Sequence, residues 1–138
     1  MNYVIYTDGG SRGNPGPSGA GGYIMDSNKV VIATISEFLG IQTNNYAEYK
    51  ALELTLSKAI ELCINKYPVQ VFMDSKLVVE QLNGRWKVKN ENLMKLYLVI
   101  KELIALFPNI KIDHILRKYN KEADKLANQA MDSATLLG

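Results

Sequence analysis

The spacing of apolar positions along this chain changes several times, and each change marks an element. Residues 3–7 (Tyr-Val-Ile-Tyr-Thr) form a short β-prone run that stops at a turn signal, Asp8-Gly9-Gly10. Residues 11–19 are rich in Gly and Pro and predict a loop. Runs over 20–25 and 30–38 predict two strands joined as a hairpin through Asp26-Ser27-Asn28. After Gly40 the period lengthens: Leu52, Leu56, Ala59, Ile60 and Cys63 recur at helical spacing, so one amphipathic helix runs from Asn44 or Asn45 to about Lys66. Pro68 closes it, and residues 69–73 predict a fourth strand ending at Asp74. A short helix over 76–82 is stopped by Asn83-Gly84. A further helix carries Leu93, Leu96, Ile100, Leu103, Ile104 and Phe107 and ends at Pro108; residues 110–116 predict a fifth strand. Ala123, Leu126, Ala127, Ala130 and Ala134 mark a last helix. This order predicts an α/β fold: one five-stranded mixed sheet, its first three strands an antiparallel meander and its last two reached by crossovers, flanked by helices. With no repeat or linker, residues 1–138 read as a single domain with a core over 3–131 and a tail over 132–138, frayed or packed.

Composition narrows the class of protein. Hydrophobic residues at 47% and charged residues at 22% exclude a disordered chain. No run approaches the roughly 18 apolar residues of a membrane span, and residues 1–7 lack the pattern of a signal peptide. The expectation is a cytoplasmic monomer that makes no use of a membrane. One cysteine, Cys63, excludes an internal disulfide framework, and with one histidine, His114, it cannot assemble the usual zinc site. A net charge of +2 is too small to establish nucleic-acid binding by itself.

Four acids carry the chemistry. Asp8 and Asp74 each follow an apolar strand, at the rim where open α/β sheets bind ligands. Glu48 lies in the first turns of the long helix and Asp124 near the start of the last. If all four converge, their charges repel and raise some pKa values unless cations neutralise them. An all-carboxylate site suits Mg²⁺ better than zinc, and two such ions serve in-line displacement at phosphorus. Each acid also has a plain structural reading. Asp8 and Asp74 suit turns, Glu48 follows Asn45 at the spacing of a capping box, and Asp124 complements a helix dipole.

On these residues the chain resembles type 1 ribonuclease H of the short bacterial and archaeal kind. Tyr6-Thr-Asp8-Gly-Gly-Ser11, Gly13-Asn-Pro-Gly-Pro17 and Gly19-Ala-Gly-Gly22 match the family's opening. Thr43-Asn-Asn-Tyr-Ala-Glu48, Phe72-Met-Asp-Ser75 and Asn120-Lys-Glu-Ala-Asp124 followed by Leu126-Ala127 match its later motifs. The resemblance implies a ribonuclease H-like fold and two-metal hydrolysis of the RNA strand of RNA/DNA hybrids, giving 5′-phosphate and 3′-hydroxyl ends. It makes Asp8, Glu48, Asp74 and Asp124 the catalytic and metal-binding set, with two Mg²⁺ ions or Mn²⁺ in their place. It further implies that Asn14, Asn44 and Asn45, with backbone groups around Gly10 and Ser11, read the minor groove and the 2′-hydroxyls. An asparagine suits that task because it offers a donor and an acceptor; helix capping is the plain alternative. Thr43 corresponds to a phosphate contact on the DNA strand.

The chain departs from the family pattern in three places. The loop histidine of better-known members is missing from Leu116-Arg-Lys-Tyr119, and His114 reads instead as a packed or edge residue on a strand with Ile112 and Leu116. Lys76 stands where a minor-groove Gln is common, a candidate phosphate contact. The basic protrusion shrinks to Gly84-Arg-Trp-Lys-Val-Lys89, where Arg85, Trp86 and Lys87 are candidates to grip DNA unless Trp86 simply anchors the loop. Weak, salt-sensitive binding is expected. The alternatives are a hybrid-binding module without catalysis and a related nuclease that also acts on double-stranded RNA.

Overall fold

A computed structural model describes residues 2–137. The strands β1 (Tyr3–Ser11), β2 (Gly16–Met25), β3 (Val31–Gln42), β4 (Val69–Met73) and β5 (Ile110–His114) form one sheet in the order β3-β2-β1-β4-β5. β1, β2 and β3 are antiparallel neighbours, whereas β4 runs parallel to β1 and β5 parallel to β4. The helices are α1 (Asn44–Glu61), α2 (Lys76–Leu82), α3 (Glu91–Ile104) and α4 (Lys121–Leu137). None of the described helices is long and apolar enough to cross a membrane.

Strand alternation divides the work between two faces. Ile5, Ile24 and Val71 are fully buried with Tyr49, Leu52 and Leu56 of α1 and Ile100 of α3 in one core. The other face carries α4. Glycines decide how closely the helices approach: a Cβ on Gly9 would stand 2.2 Å from the Ala47 backbone in α1, and one on Gly21 would stand 2.2 Å from the Ala123 carbonyl in α4. These helices therefore rest directly on the strand backbone.

That packing corrects the expected boundaries. Asp8-Gly9-Gly10 is not a turn: β1 continues through it, and its ladder with β2 reaches Ser11↔Ser18. Of the expected loop, only residues 12–15 lie outside strands, and Gly13 supplies the left-handed φ of +117° that reverses the chain. α1 is capped by Thr43, whose Oγ1 accepts from the Tyr46 N–H at 3.2 Å, so Glu48 is no capping-box partner. The same helix ends at Glu61, short of Lys66, where Cys63 takes φ 60° before a single 3₁₀ turn, Ile64–Lys66. β5 ends at His114, and a 3₁₀ turn, Arg117–Tyr119, leads into α4. Residues 132–137 are not a tail but the continuation of α4, with Asp132 ion-paired to Arg12 at 2.6 Å; Gly138 lies outside the described residues.

Candidate active site

Parallel pairing of β1 with β4 matches Thr7 to Met73, so the next residues, Asp8 and Asp74, come out side by side at the rim. α1 begins at the same rim, and its close seat on Gly9 brings Glu48 in from the opposite face. Carboxylate oxygens of Asp8, Glu48 and Asp74 all lie within 4.8 Å of one another. Asp124, in the first turn of α4, lines the same cleft of about 530 Å³ and acts on Asp8, but it stands outside that triplet. The cleft also takes Gly10, Ser11, Asn44 and Asn45.

Burial makes this cluster electrostatically costly. Asp8 and Glu48 are 5% and 9% exposed. Burial, then the Asp74 charge, pushes the Asp8 carboxyl from 3.8 up to about 8. Glu48 is driven well above its ordinary range, first by burial and then by the charges of Asp8 and Asp74. No Lys or Arg among the described residues forms an ion pair with Asp8, Glu48 or Asp74; the one cation paired to an acid of this set is Arg117, 3.7 Å from Asp124 Oδ1. Glu48 Oε2 is buried with no hydrogen-bond partner. Hard oxygen donors, an orphaned buried oxygen and uncompensated charge together fit a divalent cation held by Asp8, Glu48 and Asp74.

The expected substrate-reading residues divide into groups. Asn44 Oδ1 accepts from the Ser11 N–H at 2.8 Å, and Asn14 Oδ1 accepts from the Asn44 N–H at 3.1 Å. These bonds tie the β1–β2 turn to the start of α1, so neither asparagine is an N-cap. The Ser11 hydroxyl is turned inward to the Gln42 carbonyl at 2.9 Å. Thr43 lies outside the acid cleft. It lines a neighbouring cavity of about 570 Å³ with Asn90, the N-cap of α3, so two helix N-termini face one space.

Other candidates are not brought to the acids. Arg85 is turned back onto Glu80 in a two-pronged ion pair, Nε–Oε2 2.5 Å and Nη2–Oε1 2.9 Å, which holds the Glu80 carboxyl below its usual range. Its guanidinium is thereby paired with a residue of α2. Trp86 is 46% exposed and does not anchor that loop; Val88 packs on the core instead, and the Lys87 carbonyl accepts from Gln81 Nε2 at 3.2 Å. Lys76 opens α2 at an exposed position. His114 is the exposed last residue of the edge strand β5, while Leu116 lies beyond that strand.

Sequence reasoning missed four residues that shape the cleft. Arg117 lies in the segment noted only for its missing histidine, and Arg12 and Asn128 also line the cleft. Asn120 is fully buried, and its Nδ2 donates to Asp74 Oδ2 at 3.0 Å. Its place four residues before Asp124 was legible as a motif letter, but its bonding required the fold.

Comparison with known proteins gives a consistent picture. Residues 6–130 match the family model described as "Reverse transcriptase-like". The chain is 46% identical over 135 residues to the bifunctional protein Rv2228c of Mycobacterium tuberculosis, covering 97% of this chain and 36% of that protein. It is 36% identical to the ribonuclease HI of Halobacterium salinarum, covering 94% of this chain and 64% of the relative. It thus spans between about a third and two thirds of these relatives. Among solved structures, LC11-RNase H1 in complex with RNA/DNA hybrid superposes with a TM-score of 0.90 at 39% identity, covering 96% of this chain and 99% of that one.

Proposed function

Since the chain belongs to the reverse transcriptase-like, ribonuclease H family, we propose that it is an endonuclease that cuts the RNA strand of RNA/DNA hybrids, leaving 5′-phosphate and 3′-hydroxyl ends. The observation that carries this reading is the triplet Asp8, Glu48 and Asp74, with oxygens within 4.8 Å and no ion-paired Lys or Arg among the described residues. These three, with Asp124 beside them, would hold two Mg²⁺ ions, with Mn²⁺ as a substitute. Bound divalent cations supply a water of lowered pKa and neutralise charge on the leaving 3′ oxygen.

The chain's own groups do the rest. Asp8 and Glu48, costly to ionise when alone, favour a cation as the partner that lets both stay charged. Asn44 and Asn45 line the cleft beside the acids and offer donors and acceptors suited to ribose 2′-hydroxyls. Arg12 is held by Asp132 at 2.6 Å, whereas Arg117 pairs more loosely with Asp124 at 3.7 Å. Arg117 is also the more exposed of the two, so it is the better placed to meet a phosphate at the rim. An arginine stays protonated at working pH, so it orients an anion rather than relaying a proton. The cavity shared by Thr43 and Asn90 suits a DNA-strand phosphate between two helix N-termini. In this reading the enzyme acts as a monomer and in the cytoplasm, where a single, exposed cysteine stays a free thiol.

A labelled RNA/DNA hybrid, an RNA duplex and a DNA duplex, each incubated with Mg²⁺ and with chelator, test the proposal. The expected result is cutting of RNA in the hybrid with Mg²⁺ alone. Binding without cleavage, or cleavage that survives chelation, overturns it.

A further inference from the structure

Asn120 sits one residue before α4 and is 0% exposed. A fully buried amide is costly unless its polar atoms are used. Its Nδ2 donates to the Thr7 carbonyl at 2.9 Å and to Asp74 Oδ2 at 3.0 Å. Its backbone carbonyl accepts from the Asp124 N–H at 3.1 Å. One residue therefore joins the strand residue before Asp8, the carboxylate at the end of β4 and the helix turn that carries Asp124. Both side-chain partners are acceptors, so nitrogen rather than oxygen must face them. Keeping that orientation leaves Asn120 Oδ1 buried with no hydrogen-bond partner. The fold thus tolerates an unsatisfied acceptor in order to keep a donor on Asp74.

We infer that Asn120 is a positioning residue: its side-chain amide fixes the Asp74 carboxylate relative to Asp8 and Asp124 in the pose that receives a divalent cation, touching neither cation nor substrate itself. The inference rests on the reading of the acid cluster as a cation site. Outer partners of metal ligands typically change affinity or activity by roughly 10–100-fold when removed. A merely structural buried amide would change stability alone.

The test uses the full chain with Asn120→Ala, which removes donor and volume, and Asn120→Leu, which keeps the number and branching of the side-chain heavy atoms and removes both donors. Thr55→Val is the control: Thr55 is fully buried, and its hydroxyl bonds only within α1, to the Ala51 carbonyl at 2.8 Å. Mn²⁺ affinity is read by calorimetry, hybrid affinity in EDTA, and kcat and KM with Mn²⁺. Both Asn120 variants should bind Mn²⁺ roughly 10–100-fold more weakly and lose kcat by a similar factor. KM and hybrid affinity in EDTA should stay within about twofold, because Asn120 is closed to substrate. Thr55→Val should melt lower with unchanged Mn²⁺ affinity. If the wild type binds Mn²⁺ and both Asn120 variants bind it equally well, the inference fails while the cation reading stands. If the wild type binds none, both fail. Should neither variant fold, the wild type decides: the Asn120 side-chain amide protons should resist solvent exchange and shift on Mg²⁺ addition, and free exchange with no shift refutes the role.

Discussion

Replacing Asp8 by Asn tests the electrostatics of the cluster without any substrate. In the cation-free protein the Asp8 carboxyl titrates near 8, against 3.8 ordinarily, because it is buried and faces Asp74. Between those values the folded state holds a proton that the unfolded chain has released, so stability falls as pH rises. Below 3.8 both states are protonated and no cost arises; above about 8 the full cost is present. A displacement of that size corresponds to on the order of 5 kcal/mol. Asp8→Asn removes the titration, so its advantage over wild type in EDTA should be near zero at pH 4, grow through neutrality and level off above pH 8. Denaturant melts at several pH values measure it. Adding Mn²⁺ should reverse the order, stabilising the wild type more than the variant, since ligand binding to the native state adds stability. Equal stability of the two proteins across the pH range in EDTA would refute the assigned cause.

Further outcomes follow from the same geometry. Asp74→Asn should abolish cutting or reduce it by several orders of magnitude while hybrid binding in EDTA persists, as a gel-shift assay beside a cleavage assay will read. His114→Ala should leave kcat within a few-fold, because that side chain lies exposed on the edge strand outside the cleft; a loss of several orders of magnitude in a folded variant would return it to the mechanism. Gly21→Ala should destabilise the protein by about 1–3 kcal/mol or prevent folding, since its Cβ would stand 2.2 Å from the Ala123 carbonyl; thermal melts decide. Arg85→Ala should change the salt dependence of hybrid binding little, because the guanidinium is spent on Glu80, whereas Lys87→Ala should flatten it.

The five strands and four helices were legible because the apolar period changes from element to element, whereas spacing alone left Asp8, Glu48, Asp74 and Asp124 open to plain structural readings and the family resemblance singled them out. The extent of β1 and β2 was not legible, because glycine has two meanings that a single sequence does not separate. Gly9 and Gly19 look like turn residues but serve the close seat of helices on strands. The tail over 132–138 was drawn too early: Ala134 keeps the helical spacing past Asp132-Ser133, and Asp132 is held by Arg12 from the far end of the sequence. Arg85 displayed its charge but not its partner, since Glu80 reaches it only after the chain reverses at Gly84, φ +78°. Asn120 was visible as a letter in a motif; its service to Asp74 depends on strands that come together only in the fold.

Crystals of the protein soaked in Mn²⁺ and measured at the manganese absorption edge address the central claim most directly. Anomalous peaks bounded by the carboxylates of Asp8, Glu48 and Asp74, and lost in Asp74→Asn, are the expected result. Manganese bound elsewhere on the molecule with none between those side chains would contradict it.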